Sequence, residues 1–298
     1  MEIDWYEGME MSSGFFASMA GIQNRLIPLK RTMGFRKPDS NSLGLILSLS
    51  KREVQAKYRG SLLGVTWSLL TPLLMLGVYT FVFGVVFRSR WATSDTHASP
   101  AEFAVILFVG LILYQMMADT LIRAPTVIIS NPSYVKKVVF PLDILIPVAL
   151  TTSLVHAGFS LLVLAPFLMA VFGGIPWTAI LLPLIVAPLC LVILGLGWLL
   201  ASLGTYVRDI GQFIGPVMTA MLFMAPIFFP VTALPEWLQP WIVLNPLTLP
   251  VEQAREVLIF GNMPDWKGLG IYYCASLAIC LFGFAWFRKT RKGFADVL

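Results

Sequence analysis

Charged residues are scarce in this sequence. Asp, Glu, Lys and Arg make up 12% of its 298 residues, whereas soluble globular proteins carry about 25%. Hydrophobic residues make up 57%, and long apolar runs recur between residues 67 and 287 with only short polar breaks. This composition argues against an ordinary soluble enzyme and predicts one domain that is embedded in lipid.

Catalytic and metal-binding signatures are also lacking. The sequence contains no GxxxxGK[ST] phosphate loop, no HExxH motif and no GxSxG motif. His97 and His156 have no second ligand at metal spacing, and Cys190, Cys274 and Cys280 share no CxxC spacing. We therefore expect no enzyme, no metal site and no cofactor on this chain. A membrane-embedded lipid-processing enzyme would need convergent acids, histidines or metal ligands, and the sequence offers none.

Six apolar runs are long enough to cross a bilayer, which takes about 20 residues of helix. The runs lie near residues 67–87, 103–122, 144–172, 177–206, 212–230 and 269–287. They are continuously apolar, without the alternation of a lipid-facing strand, and therefore favour helices. The predicted fold class is an all-α integral membrane protein with six transmembrane helices per subunit.

Basic residues concentrate in alternate breaks between these runs. They precede the first run, recur at Lys136 and Lys137, and follow the last run at Arg288, Lys289, Arg291 and Lys292. The positive-inside rule then predicts a multi-pass protein of the cytoplasmic (inner) membrane with both termini in the cytoplasm. The net charge of +5 is explained by these segments, so we expect membrane lipids and no nucleic acid as partners.

Three regions of different character make up the chain. Residues 1–42 are polar and mixed, which predicts a loosely ordered cytoplasmic tail. Residues 43–66 place apolar and basic residues on adjoining faces, which predicts an amphipathic interface helix. Residues 67–298 form the predicted six-span transmembrane domain. Within it, the proline-rich and tryptophan-rich segment 231–267 predicts short half-inserted helices between spans five and six.

Several stretches resemble one known family. Residues 51–73 read KREVQAKYRGSLLGVTWSLLTPL, and residues 131–141 read NPSYVKKVVFP. These two stretches, with residues 206–210, 226–227 and 293–296, resemble the permeases of polysaccharide-exporting ABC transporters. The resemblance extends from about residue 43 to residue 298. The YRGS run with Thr71 and Pro72 is similar to the O-antigen and teichoic acid exporters.

This resemblance implies a transport subunit that works with separate partners. It implies a homodimer with the conduit at its two-fold axis, two nucleotide-binding ATPase subunits that hold ATP and Mg, and a glycan substrate linked to a polyprenyl diphosphate. The alternatives are a capsule polysaccharide exporter, a small-lipid or drug ABC exporter, and a secondary transporter. A secondary transporter would show several acids or histidines at mid-membrane depth, which this sequence does not.

The resemblance also implies a segment that docks onto the ATPase. The expected coupling residues are Asn131, Pro132, Tyr134, Lys136, Lys137, Phe140 and Pro141, with Arg208 and Asp209 at the next cytoplasmic turn. The alternative for Lys136 and Lys137 is that they only set orientation. For Arg208 and Asp209 the alternative is a local ion pair.

Two further groups are candidates for contact with the substrate. Tyr79, Phe83 and Phe87 form an i, i+4 stripe that, with Tyr114, offers flat faces to sugars; ordinary helix packing or an aromatic belt is the alternative. A headgroup site is expected at Arg52, Lys57, Tyr58, Arg59 and Trp67, where cations attract the diphosphate; anchoring at the membrane surface is the alternative. Asp119, four residues before Arg123, is expected to pair with it; a functional role of this membrane-embedded acid is the alternative.

Overall fold

The computed structural model describes residues 40–82, 99–132, 134, 140–231, 235–237 and 239–297. These residues form helices and turns, with no strand among them. The expected tail, residues 1–42, lies almost wholly outside the described part of the chain. The fold below is that of the compact unit Ser40–Leu298.

Ten α-helices follow one another along the described residues. They are α1 (Ser40–Lys57), α2 (Trp67–Tyr79), α3 (Pro100–Arg123), α4 (Leu145–Phe172), α5 (Leu182–Tyr206), α6 (Ile210–Met224), α7 (Gln239–Val243), α8 (Thr248–Arg255), α9 (Trp266–Thr290) and α10 (Phe294–Val297). Short 3₁₀ turns extend several of them, and a π turn, Glu256–Phe260, continues α8.

Among the described residues, four stretches are long and apolar enough to cross a membrane. They are Ala101–Thr126, Leu142–Phe172, Trp177–Tyr206 and Trp266–Gly293. These stretches coincide with the second, third, fourth and sixth predicted spans. The prediction of an all-helical protein with several membrane-capable helices is confirmed.

The first and fifth predicted spans correspond to shorter apolar helices, Trp67–Val82 and Ile210–Met224. The prediction extended the fifth span to residue 230, and this was wrong. The helix ends at Met224 because Ala225 is extended, with ψ of 149°, as is usual for a residue before proline. The 15 residues of α6 rise about 22 Å, less than the ~30 Å of a bilayer core. Residues 83–87 of the first predicted span lie outside the described residues.

Local sequence signals explain where two of the long helices begin. Ser99 caps α3, because its Oγ accepts a hydrogen bond from the N–H of Glu102 at 3.2 Å, and Pro100 occupies the first helical position. Asp265 caps α9, because its Oδ1 accepts from the N–H of Lys267 at 3.0 Å.

Helix α3 lies at the centre of the packing. In its most apolar part 78% of the residues are buried, against 17% to 33% in the other three long helices. Phe103, Leu107 and Met117 are each at most 1% exposed. Helices α4 and α5 pack directly on α3, whereas α9 packs on α5, and these three helices carry most of the exposed surface of the long spans.

Helices α5 and α9 touch through their backbones. A methyl group added at Gly283 would overlap the backbone of Gly195, and one added at Gly195 would lie 2.5 Å from the carbonyl oxygen of Ile279. Only glycine permits this approach, which resembles the close contact of small residues in membrane helix pairs.

Side-chain bonds group the helix termini at two ends of the domain. At the first end, the Tyr206 hydroxyl at the end of α5 donates to the carbonyl of Thr290 at the end of α9, at 2.8 Å. Asp143, just before α4, pairs with Arg291 at 3.4 Å. The ends of α5 and α9 therefore lie beside the start of α4.

At the second end, the connection between α4 and α5 meets the π turn. Thr178 Oγ1 donates to the carbonyl of Val257 at 2.7 Å, and the Tyr273 hydroxyl of α9 donates to the carbonyl of Leu184 at 2.7 Å. Helices α4, α5 and α9 therefore run between the same two ends.

The predicted interface helix, 43–66, is the shorter helix α1. It ends at Lys57, and the turn that follows contains Gly60 and Gly64 with positive φ values of 85° and 52°, which glycine adopts without strain. Helix α1 exposes Leu43 and Leu47, which are 67% and 62% accessible. The opposite side of α1 packs along α4.

Candidate functional site

The expected coupling segment follows α3 through a 3₁₀ turn and begins with a well-bonded asparagine. Asn131 Nδ2 donates to the carbonyl of Val127 at 2.9 Å and to Ser130 Oγ at 3.3 Å. The carbonyl of Asn131 in turn accepts from the N–H of Tyr134 at 3.1 Å. The asparagine therefore fixes the start of the segment, while Pro132 is exposed.

The two aromatic residues of this segment stack on each other. The Tyr134 and Phe140 rings have centroids 4.4 Å apart and planes 14° from parallel. This contact brings the beginning and the end of the segment together, and Pro141 follows on the exposed surface. Lys136 and Lys137 lie outside the described residues.

Both rings pack against a small buried core at the first end of the domain, which we call the Phe287 cluster. Its buried members are Ala124, Val127, Ile128, Leu145, Ile146, Trp198, Ala201, Cys280, Phe287 and Phe294. The cluster joins the end of α3 to the start of α4 and to α5 and α9. Trp198 supports it through its Nε1–H, which donates to the carbonyl of Asp143 at 2.9 Å.

Arg208 and Asp209 form the exposed turn between α5 and α6. This turn lies near the start of the coupling segment. A methyl group on Gly204 would overlap Pro125, and one on Gly211 would lie 3.5 Å from Thr126 Cγ2. The structure therefore brings together two stretches that are more than 60 positions apart in sequence.

The expected headgroup residues lie on and after α1. Arg52, Lys57 and Arg59 are exposed, which leaves their charges available to an anionic group. Tyr58 is half-buried, and its ring meets the His156 ring edge-on with centroids 6.0 Å apart. Trp67 begins α2 and is 37% exposed.

The position of Tyr58 affects its ionisation. Burial raises the pKa of Tyr58, and the nearby Asp119 carboxylate raises it further. Tyr58 therefore stays protonated at neutral pH and can act as a hydrogen-bond donor beside the three cations.

The predicted pairing of Asp119 with Arg123 was wrong. Arg123 Nη2 instead pairs with Glu53 Oε2 of α1 at 2.9 Å, and Asp119 Oδ1 accepts from Gln115 Nε2 at 2.6 Å. Glu53 Oε2 also accepts from Thr152 Oγ1 at 3.2 Å. Arg123 pairs with Glu53 because α1 packs beside α3 and α4. Helical spacing alone does not reveal this placement.

The expected conduit residues are only partly described. Tyr79 and Tyr114 both lie half-buried against the main core, whereas Phe83 and Phe87 lie outside the described residues. A cavity of about 220 Å³ opens nearby between α3, α4, α5 and α8, and apolar side chains such as Ile112, Leu154 and Leu258 line it. Its apolar lining does not suit a hydrated sugar chain.

Arg255 is a buried charged residue that the sequence alone did not indicate. It is 3% exposed and donates to three carbonyls: Nε to Ile106 at 3.0 Å, Nη1 to Pro226 at 2.6 Å and Nη2 to Ile227 at 2.8 Å. It thereby fastens α8 to α3 and to the bend after α6. Gly110 leaves room for the guanidinium, because a methyl group there would lie 3.2 Å from Arg255 Nη2.

Comparison with known proteins gives the family of the chain. The family model described as ABC-2 type transporter matches residues 44–259, which is more than half of the sequence. The chain belongs to the ABC-2 type transporter family. The ABC-2 match begins in α1, includes both candidate coupling turns and ends in the π turn after α8.

Curated relatives extend this similarity. The ABC-2 chain is 26% identical over 256 residues to the O-antigen export system permease protein RfbA of Myxococcus xanthus, covering 85% of this chain and 95% of that protein. It is 24% identical over 259 residues to the RfbA permease of Klebsiella pneumoniae, with the same coverage. It is 23% identical over 248 residues to the polysialic acid transport protein KpsM of Escherichia coli, covering 82% and 93%.

Proposed function

We propose that this chain is the membrane-spanning subunit of an ATP-driven exporter that moves a lipid-linked polysaccharide, of O-antigen type, across the cytoplasmic membrane. The observation that carries the proposal is the similarity to O-antigen export permeases over 85% of this chain and 95% of theirs. The chain is a transport subunit and not an enzyme, and it works as a homodimer.

The energy comes from a separate subunit. Because the sequence lacks a phosphate loop, two nucleotide-binding ATPase subunits bind ATP and Mg on behalf of the complex. This division agrees with a chain whose described helices are mostly apolar.

The membrane domain has six spans with both termini in the cytoplasm. The shorter helices α2 and α6 are added to the four long spans as spans one and five, and the bilayer thins locally to match their length. Helices α7 and α8 are half-inserted helices between spans five and six. The grouping of helix termini supports this topology, because the ends of α3, α5 and α9 lie at the first end of the domain with the start of α4. The first end is cytoplasmic, since basic residues follow α9 there.

The ATPase docks at the first end. The stacked Tyr134 and Phe140 and the neighbouring turn of Arg208 and Asp209 form the contact area, and Lys136 and Lys137, which lie between the two rings in sequence, add positive charge to the segment. Its position on the Phe287 cluster suits force transfer, because the cluster includes residues of α4, α5 and α9.

The substrate meets the chain at two places. The exposed cations Arg52, Lys57 and Arg59 attract the diphosphate of the carrier lipid. The sugar chain then moves along aromatic faces of Tyr79, Phe83, Phe87 and Tyr114. The conduit forms between two copies of the chain, and the apolar lining of the cavity inside one copy supports this arrangement.

The decisive experiment reconstitutes the chain, with the nucleotide-binding subunit of its own gene cluster, in vesicles that contain a lipid-linked O-antigen. ATP hydrolysis should require both subunits, and export should require ATP. The double variant Lys136→Ala/Lys137→Ala should insert normally but lose export, whereas Lys267→Ala, at the second end, should not change it. Export without the ATPase subunit would contradict the proposal and favour a secondary transporter.

A capsule polysaccharide is the second candidate substrate, because the KpsM proteins, named for polysialic acid transport, are also relatives. The same vesicles loaded with a lipid-linked capsule polymer decide between the two. Faster export of that polymer than of the O-antigen would change the substrate class and leave the ATP-driven mechanism intact.

A further inference from the structure

A phenylalanine near the end of the chain is fully buried. After α9 the residues Arg291–Gly293 form a 3₁₀ turn that leads to Phe294 at the start of α10, and Phe294 is 0% exposed. The last residues of a domain are ordinarily exposed unless something holds them. We call residues 291–294 the C-terminal turn.

The C-terminal turn is fastened to the end of α5. The Phe294 ring lies 5.8 Å from the Tyr206 ring and 5.6 Å from the Phe287 ring, centroid to centroid. Just before the turn, Thr290 Oγ1 and Ser202 Oγ are hydrogen-bonded at 2.6 Å. A methyl group on Gly293 would lie 2.6 Å from the Tyr206 hydroxyl oxygen, so the turn lies directly on α5.

The same turn reaches the candidate coupling segment. Phe294 belongs to the Phe287 cluster, against which Tyr134 and Phe140 also pack. Arg291 Nη1 pairs with Asp143 Oδ1 at 3.4 Å, and Asp143 comes two residues after the segment ends. The C-terminal turn therefore joins the exit of the coupling segment to the helix that precedes the Arg208–Asp209 turn.

We infer that the C-terminal turn is a positioning element for ATP coupling, in which Phe294 and Arg291 hold the two ATPase-facing turns in one fixed arrangement. This inference rests on the proposed function. A push on the coupling segment moves the spans only if its ends are fixed to them. Close packing around Phe294 supplies that connection, because a packed interior has low compressibility and transmits strain.

The turn has an alternative role as a simple stabiliser of α9, and the two roles give different results. A stabiliser affects the amount of folded protein. A positioning element affects the amount of glycan exported for each ATP hydrolysed by complexes that have assembled. The experiment therefore measures assembly, ATP hydrolysis and export in the same reconstituted preparation of the full chain with its ATPase subunit.

The main variant is Phe294→Ala, and its matched control is Val297→Ala, since Val297 is 44% exposed and lies outside the turn. We expect Phe294→Ala complexes to assemble and hydrolyse ATP while export per ATP falls severalfold. The control should match the wild type. Unchanged export per ATP in assembled Phe294→Ala complexes would overturn the inference.

A charge exchange keeps the test decisive if Phe294→Ala does not fold. Asp143→Arg and Arg291→Asp should each lower export per ATP, because each places like charges together, and the double exchange should restore it. Absence of any loss in the single variants, or of rescue in the double variant, would overturn the inference. A loss confined to Lys136→Ala/Lys137→Ala would overturn this inference alone, whereas a wild-type complex without ATP-dependent export would overturn the proposed function.

Discussion

Arg123, the last residue of α3, donates a hydrogen bond from Nη2 to Glu53 Oε2 of α1 across 2.9 Å. The contact joins residues 70 positions apart. It connects the helix that carries the candidate headgroup cations to the helix that leads into the coupling segment. The two side chains are 45% and 36% exposed, so the pair contributes less than about 1 kcal/mol to folding. Its importance lies in where it holds α1.

Replacement of Glu53 by Gln should loosen α1 without unfolding the domain. The change removes the ion pair with Arg123 and weakens the bond from Thr152. Amide hydrogen exchange should accelerate in α1 and stay unchanged in α5. Gln55→Ala, on the exposed side of the same helix, is the control. Equal exchange in the Glu53→Gln and wild-type proteins would show that the ion pair does not hold α1.

Replacement of Gly283 by Ala should separate α5 from α9, because the new methyl group would overlap the backbone of Gly195. We expect a loss of about 1–3 kcal/mol, typical of overpacking, measured as a lower thermal unfolding temperature in detergent. Gly270→Ala tests the same exchange in the same helix, where no atom lies within 4 Å of the added methyl. It should be neutral or stabilise by up to about 1 kcal/mol. Equal stability of the two variants would disprove the close contact.

Replacement of Arg255 by Met should strongly destabilise the second end of the domain. The buried carbonyls of Pro226 and Ile227, which lie outside a helix, would lose their donor, at a cost of about 1–3 kcal/mol for each unsatisfied group; the carbonyl of Ile106 would keep its bond within α3. Arg255→Lys should be intermediate, because an ammonium group supplies donors without the planar fork of the guanidinium. Thermal unfolding and the yield of folded protein measure the effect. Lys267→Met, at an exposed site, is the control, and a tolerated Arg255→Met would refute the role of this residue as a fastener.

Removal of the cations on and just after α1 should weaken binding of the diphosphate and not of the lipid tail. The triple variant Arg52→Gln/Lys57→Gln/Arg59→Gln should lose about 1 kcal/mol for each charge near the membrane surface. Titration of the purified protein with a polyprenyl diphosphate measures this loss. The uncharged polyprenol should bind the variant and the wild type equally. Equal loss for both lipids would mean that the variant is misfolded, and no loss for the diphosphate would remove the headgroup site.

The sequence predicted those features that depend on local composition. Four spans were predicted within a few residues, because long apolar runs admit only helices in lipid. The fifth span was extended too far, since Pro226 was read as part of an apolar run instead of as a helix stop. The ion pair of Arg123 was missed because local spacing favoured Asp119, while the true partner comes from another helix.

For the candidate site, too, the sequence indicated the segment but not its tertiary contacts. The family resemblance indicated the segment 131–141, but not the stacking of Tyr134 on Phe140 or the burial of Phe294. The sequence did not indicate the role of Arg255, because nothing nearby in sequence shows that three carbonyls from distant segments surround it. Tertiary contacts of this kind depend on how helices are arranged, which hydropathy does not encode.

The contact between Gly195 and Gly283 restricts how this transporter can open. Backbone lies against backbone here, so a rotation of either helix about its own axis would drive a larger side chain into the other helix. We therefore expect α5 and α9 to keep their mutual geometry during transport, and any rearrangement to involve the other helices.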